Sequence, residues 1–222
     1  MTQVLVRVGL VTLLLAGILF WAFSGVKEHE EIADKAVEKQ VPFDLEIADD
    51  SLATWREFTS TVGGFRVDFP AYPQHANEIV PVPNTDMYLE YNIYVAEPDK
   101  DSSFMLSLIT YPKEMTVNRP ENILQTVMNE MLLANPTNQL RQVSLGDYQG
   151  HPQLEFQIQN QDIHMWNRAI MVGHTLYLIT VTATHKGDTE KSYARFNRSF
   201  ELIKTNEGAA ATSQEAPPQN RG

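Results

Sequence analysis

The sequence predicts an α+β fold: an antiparallel β-sheet covered by helices on both faces, preceded by one transmembrane helix. Three observations lead there. Val8 to Val26 is a run of nineteen residues without a charge. Between Phe65 and Thr184, several stretches alternate apolar and polar residues with the period of two that belongs to strands. Two further stretches, opening near Pro120 and near Asp188, repeat their apolar residues at helical spacing.

The uncharged run comes first in the chain. As a helix it rises roughly 28 Å at ~1.5 Å per residue, close to the ~30 Å hydrocarbon core of a bilayer. Trp21 and Phe23 fall near its far end, at the depth aromatic residues favour. Arg7 precedes it, and Lys27 with Glu28, Glu30 and Glu31 follows. The expected layout is a cytoplasmic N-terminus over 1–7, a transmembrane helix or uncleaved signal anchor over 8–26, and the remainder outside the cytoplasm. That makes a single-pass membrane protein, periplasmic in a diderm bacterium. The competing reading is a cleaved signal peptide, with Ala22 and Ser24 as the small residues before a cut after Ser24. It would release a secreted, soluble ligand-binding protein. The apolar run exceeds the ~7–15 residues of a usual signal, and with no cysteine in the chain there is no site for a lipid.

Residues 27–54 read as an acidic helical stalk and linker. Ile32, Ala36 and Val37 make a thin apolar stripe, Glu31 and Lys35 form an i,i+4 pair, and Pro42 ends the helix. Residues 28–57 hold ten acids against three bases, more than half of the chain's net charge of −11. Glu28-His29-Glu30-Glu31 lacks the second histidine of a zincin, since Ala33 stands in its place. Residues 205–222, rich in Ala, Ser, Gln and Pro, read as a disordered tail.

Residues 55–204 remain as the globular domain. Phe65, Val67 and Phe69 alternate with Arg66 and Asp68, and Pro70 closes the run. Met87, Leu89, Tyr91, Ile93 and Val95 share one phase of a long strand; Phe104, Leu106 and Leu108 mark the next. Leu154, Phe156 and Ile158 mark another, and Gly173-His174 joins Ile163–Val172 to Thr175–Thr184 as a hairpin turn. Asn118-Arg119-Pro120-Glu121 reads as a capping box with Pro in the first turn. It opens a helix whose apolar face is Ile123, Leu124, Val127, Met128, Met131 and Leu132. Tyr193, Phe196 and Phe200 share one side of the last helix. Several strands are apolar on both faces, which predicts cover on both sides of the sheet.

Short motifs resemble a known family. Gly64-Phe65-Arg66-Val67-Asp68-Phe69-Pro70 resembles the opening Phe-x-Val-x-Phe-Pro strand of PsbP-like domains. Arg195-Phe196-Asn197-Arg198-Ser199-Phe200-Glu201-Leu202 resembles their closing Ser-Phe helix. The resemblance covers about 55–204. It implies a PsbP-like α/β/α sandwich of the exported bacterial branch and a binding or assembly role without catalysis.

Composition removes several chemistries. Without cysteine there is no disulfide scaffold, Cys-ligated zinc, iron–sulfur cluster or Cys nucleophile. An acidic chain is poorly suited to neutralising nucleic-acid phosphates. Asp99, Asp101 and Ser103 begin like a calcium loop, but Phe104 and Thr110 occupy its Gly and Glu positions. His164 joins His174 or His185 in a metal site if the fold brings their imidazoles together. Asn197-Arg198-Ser199 matches a glycosylation sequon. His164, Trp166 and Arg168 share one strand face, and Trp with Arg is a pairing enriched at protein interfaces, so this face is the candidate partner site. The expected function is therefore a non-catalytic, membrane-tethered extracytoplasmic domain. It would need no cofactor and would bind a protein partner in assembly or envelope maintenance, with the lipid bilayer holding the N-terminal helix. The alternative is a metal-dependent or other enzyme whose site is assembled from distant residues.

Overall fold

A computed structural model of the chain describes residues 55–203, apart from 83–84, 116, 118, 162, 185 and the side chains of 186–189. Alternation decides the first elements. In β2 (Phe65–Phe69), the three apolar residues are buried while Arg66 is exposed and Asp68 half-buried. This strand lies between β1 (Arg56–Ser60) and β10 (Glu201–Leu202), antiparallel to both, in a three-stranded sheet.

The large sheet has seven strands: β3 (Gln74–Pro81), β4 (Tyr88–Ala96), β5 (Ser102–Thr110), β6 (Gln139–Tyr148), β7 (His151–Asn160), β8 (Ile163–Val172) and β9 (Thr175–Ala183). Their order is β3-β4-β5-β9-β8-β7-β6, antiparallel throughout. The β6–β7 turn puts Gln149 and Gly150 at φ 54° and 84°, the left-handed pair that matches the twist of a two-residue hairpin.

Each face of the large sheet has its own core. On one, α1 (Pro120–Leu133) sets Leu124, Val127 and Met128 among Leu154, Phe156, Ile158, Leu176 and Leu178. Pro120 starts this helix where it has no backbone donor to lose. On the other face, α2 (Lys186–Ser199) and the three-stranded sheet share the cover. Tyr193 and Phe196 join Phe65, Val67 and Phe69 over Phe104, Leu106, Trp166 and Ile179. Two partly buried hydroxyl links fasten the layers: Tyr177 Oη donates to the Gly63 carbonyl at 2.8 Å, and Tyr148 Oη to the Phe200 carbonyl at 2.7 Å.

The helix-covered α+β sandwich is corrected to a mostly antiparallel β fold, with ten strands and two helices among the described residues. The strands are apolar on both sides, but a second sheet provides much of the cover on one of them. The PsbP-like α/β/α layering that the resemblance implied is corrected with it. The capping box is corrected too: Arg119 is the N-cap and makes no side-chain cap bond, while Asn118 lies outside the described residues. The closing helix stops at Ser199, and Glu201–Leu202 continues as β10.

Among the described residues, no helix is long and apolar enough to cross a membrane. The segment 8–26, the stalk 27–54 and the tail 205–222 lie outside the described residues. The single-pass, extracytoplasmic placement that rested on them is corrected to a mostly β domain with no spanning helix among the residues described.

Trp166 is 1 % exposed, and its ring stacks on Tyr193 at 6.3 Å. Trp166→Ala is expected to lower the unfolding free energy by ~3–5 kcal/mol through lost transfer energy and cavity, with Trp166→Phe costing less. Urea denaturation checks this: both midpoints fall in that order. Midpoints equal to wild type for both variants would contradict the packing.

Candidate functional site

The face expected to meet a partner is internal. On β8, Trp166 is buried and Arg168 is 8 % exposed. Arg168 Nε donates to Gln153 Oε1 at 2.7 Å and lies 3.4 Å from Glu155 Oε1. Its Nη1 donates to the side-chain and backbone oxygens of Asn197, and its guanidinium sits 4.3 Å from the Tyr148 ring centroid. Asn197 Nδ2 reaches Glu155 Oε1 at 3.4 Å. These bonds fasten α2 to β7 and β8. They also engage the side-chain amide of the sequon asparagine, which is half-buried. His164 is half-buried, 5.7 Å from the Trp166 ring. Of the expected partner surface, Trp166 and Arg168 are buried in a contact between sheet and helix, and His164 is half-buried.

Burial raises the Glu155 carboxyl above the ordinary carboxylate range, and Arg168 and Asn197 only partly oppose it. Desolvation wins here over an adjacent cation.

The metal alternatives find no assembled site. His164 opens β8 and His174 lies beyond its end, ten residues or about 33 Å of extended chain away. His185 lies outside the described residues. Among the described residues, no three His, Cys, Asp or Glu gather around one point. Asp99 accepts hydrogen bonds from the Asp101 and Ser102 amides and from Ser102 Oγ, which makes it the brace of a turn.

The surface that stands out is the edge at β3. This strand runs between Pro73 and Pro81, and seven of its eight residues are exposed. Its register with β4 is unbroken from Gln74↔Val95 to Pro81↔Tyr88. No other strand among the described residues pairs with its outer side. In an antiparallel strand alternate residues turn their N–H and C=O outward, so about four residues of β3 present unpaired backbone groups. The opposite edge, β6, differs: its register shifts between Leu140 and Gln142, a bulge that interrupts a would-be pairing surface.

Beside β3 the side chains are held in place. Asn77 Nδ2 donates to Asn92 Oδ1 at 3.1 Å and to Glu90 Oε1 at 3.3 Å, and Asn92 Nδ2 donates to Glu90 Oε1 at 3.1 Å. His75 Nε2 lies 3.0 Å from Asn92 Oδ1, with its ring stacked 4.4 Å from that of Tyr94.

At the Gln74 end the edge opens into a groove of about 610 Å³, lined among others by Phe58, Val62, Tyr72, His75 and Tyr94. Ser60 Oγ accepts from the Gly63 amide at 2.9 Å and lies 3.2 Å from Tyr94 Oη, which fixes the β1–β2 turn against β4. The Phe58 ring sits 5.3 Å from Tyr94 and 6.2 Å from Tyr72. Val62, Tyr72, Ile79 and Tyr88 are four of the six exposed large apolar side chains among the described residues, and all lie along this edge or its groove. Sequence reasoning missed β3 because it is exposed on both faces. The available signal was the pair of flanking prolines.

No protein-family model matches the chain, and no curated protein matches it. A crystal structure of a protein of unknown function, PA94 from Pseudomonas aeruginosa, is similar at a TM-score of 0.39 and 12 % identity, covering 76 % of this chain and 100 % of that one. A likeness of that size assigns neither fold nor function.

The raised Glu155 carboxyl has a pH signature. The folded state holds this proton more tightly than the unfolded chain does. Its contribution to stability is thus full below the ordinary carboxylate range and is lost as pH rises through the raised value. Glu155→Gln has no such proton. Melting both proteins from about pH 4 to about pH 7 should show wild type losing ground to the variant as pH rises. A shift in favour of wild type would contradict the assignment.

Proposed function

We propose that this domain is a non-catalytic binding module that takes an extended segment of a partner protein onto the free edge of β3. The observation that carries this reading is the edge itself: eight residues in unbroken register, bonded to β4 on one side and, among the described residues, without a strand on the other. Strand addition uses such backbone groups for affinity and neighbouring pockets for selectivity. The groove lined by Phe58, Tyr72 and Tyr94 supports the second part, since a side chain of an added strand can lodge there. The hydrogen-bonded Asn77–Asn92–Glu90 ladder supports it further, because side chains already bonded to one another have less freedom to lose on binding.

Two adjacent proline variants of the full chain test the mode of binding. Residues alternate in backbone direction, so one of Asn77→Pro and Glu78→Pro removes an outward amide and the other an amide facing β4. Peptides selected from a random library against the wild-type chain are the probes. The variant that loses the outward amide should keep its fold by circular dichroism and bind about tenfold more weakly. Selected peptides that bind both variants as tightly as wild type would refute strand addition, and so would a library that yields no binder.

A further inference from the structure

We infer that the strand received by β3 is basic, a Lys- or Arg-bearing extended segment; this deepens the edge-binding reading and rests on it. The charge of the domain is concentrated at one place. Residues 74–102, which hold β3, β4 and the turn into β5, carry six acids and one base. The rest of 55–204 balances, with eleven acids and eleven bases. The net charge of the domain therefore sits wholly on the unit that bears the open edge.

Those carboxylates frame the edge. Glu78 is exposed on β3 itself, and Glu90 is exposed on the strand beside it. Asp86 lies in the turn at the Pro81 end, and Glu97, Asp99 and Asp101 in the turn at the Gln74 end. A residue of an added strand directly opposite Glu78 points to the same side of the sheet and lies within reach of its carboxylate. Lys or Arg there forms a cross-strand pair, whereas Asp or Glu is repelled. The groove agrees with this selection. Phe58 and Tyr72 offer ring faces to an aliphatic stem and to the cation at its end.

The same charges disfavour the other ready occupant, a second copy of this chain. Edge-to-edge pairing of two β3 strands would bring two sets of these carboxylates together. Many proteins guard an edge with lysine. Here carboxylates stand in that place, and they exclude acidic strands and admit basic ones.

Three labelled ten-residue peptides of β-forming residues, alternating with Lys, Gln or Glu, measure this by fluorescence anisotropy with the full chain. The Lys peptide should bind about tenfold tighter than the Gln peptide at low salt, with the Glu peptide weakest, and the advantage should shrink as salt rises. The combined variant Glu78→Gln, Asp86→Asn, Glu97→Gln should lose most of that preference while still binding the Gln peptide. The proline variant that removes the outward amide should weaken Lys and Gln peptides alike. Equal binding of Lys and Gln peptides, both weakened by that proline variant, would overturn the basic partner and leave the edge reading standing. Tight Lys binding indifferent to both proline variants would overturn both, as attraction without strand addition. No binding by any of the three peptides would overturn the basic partner as well.

Discussion

Every backbone amide and carbonyl withdrawn from water needs a partner, and an open sheet cannot supply one at its two outer strands. Most of this domain follows from how that constraint is met. The five inner strands of the large sheet are bonded on both sides and carry the core. At one end, β6 breaks its own regularity with a bulge. At the other, β3 stays exposed and in register. Among the described residues no strand pairs with its outer side, and a hydrogen-bonded polar ladder lies beside it with a groove at its end.

The interior explains why that edge can be held so regularly. Two separate cores grip the sheet from both faces, so strands are fixed by packing above and below as well as by their neighbours. The second core combines α2 with the three-stranded sheet, and the buried Arg168 ties α2 to β7 and β8 through Gln153, Glu155 and Asn197. A buried cation placed this way costs desolvation, and the raised Glu155 carboxyl records the same cost on the other partner. This cluster does structural work. The exposed chemistry lies across the sheet at β3 and β4.

Periodicity located β2, β4, β5 and β7 through the phase of their apolar residues, and the Gly173-His174 turn between two apolar runs located β8 and β9. The elements it missed have physical reasons for silence. Strand β3 is exposed on both faces, so nothing selects a pattern. The bulge in β6 breaks the period midway, and β10 has only two residues. Missing β1 and β10 hid the second sheet, and strands apolar on both sides were then read as helix-covered. At Trp166 and Arg168, residue type pointed to an interface, but Glu155, Gln153 and Asn197 bury the arginine instead. A strand edge is a property of backbone and topology, so no side-chain motif announces it. The traces in the sequence were Pro73 and Pro81 and the surplus of acids between Gln74 and Ser102.

The central claim is that alternate amides of β3 are free in this chain and become bonded when a partner strand arrives. Residue-resolved hydrogen exchange by NMR reads those amides directly. The account predicts an alternating pattern along 74–81 in the free chain, with every second amide exchanging fast, while the amides of β9 stay uniformly slow. It predicts that the Lys-bearing peptide slows the fast set and leaves the slow set unchanged. Uniform protection along β3 in the free chain, or fast amides unmoved by saturating peptide, would contradict it.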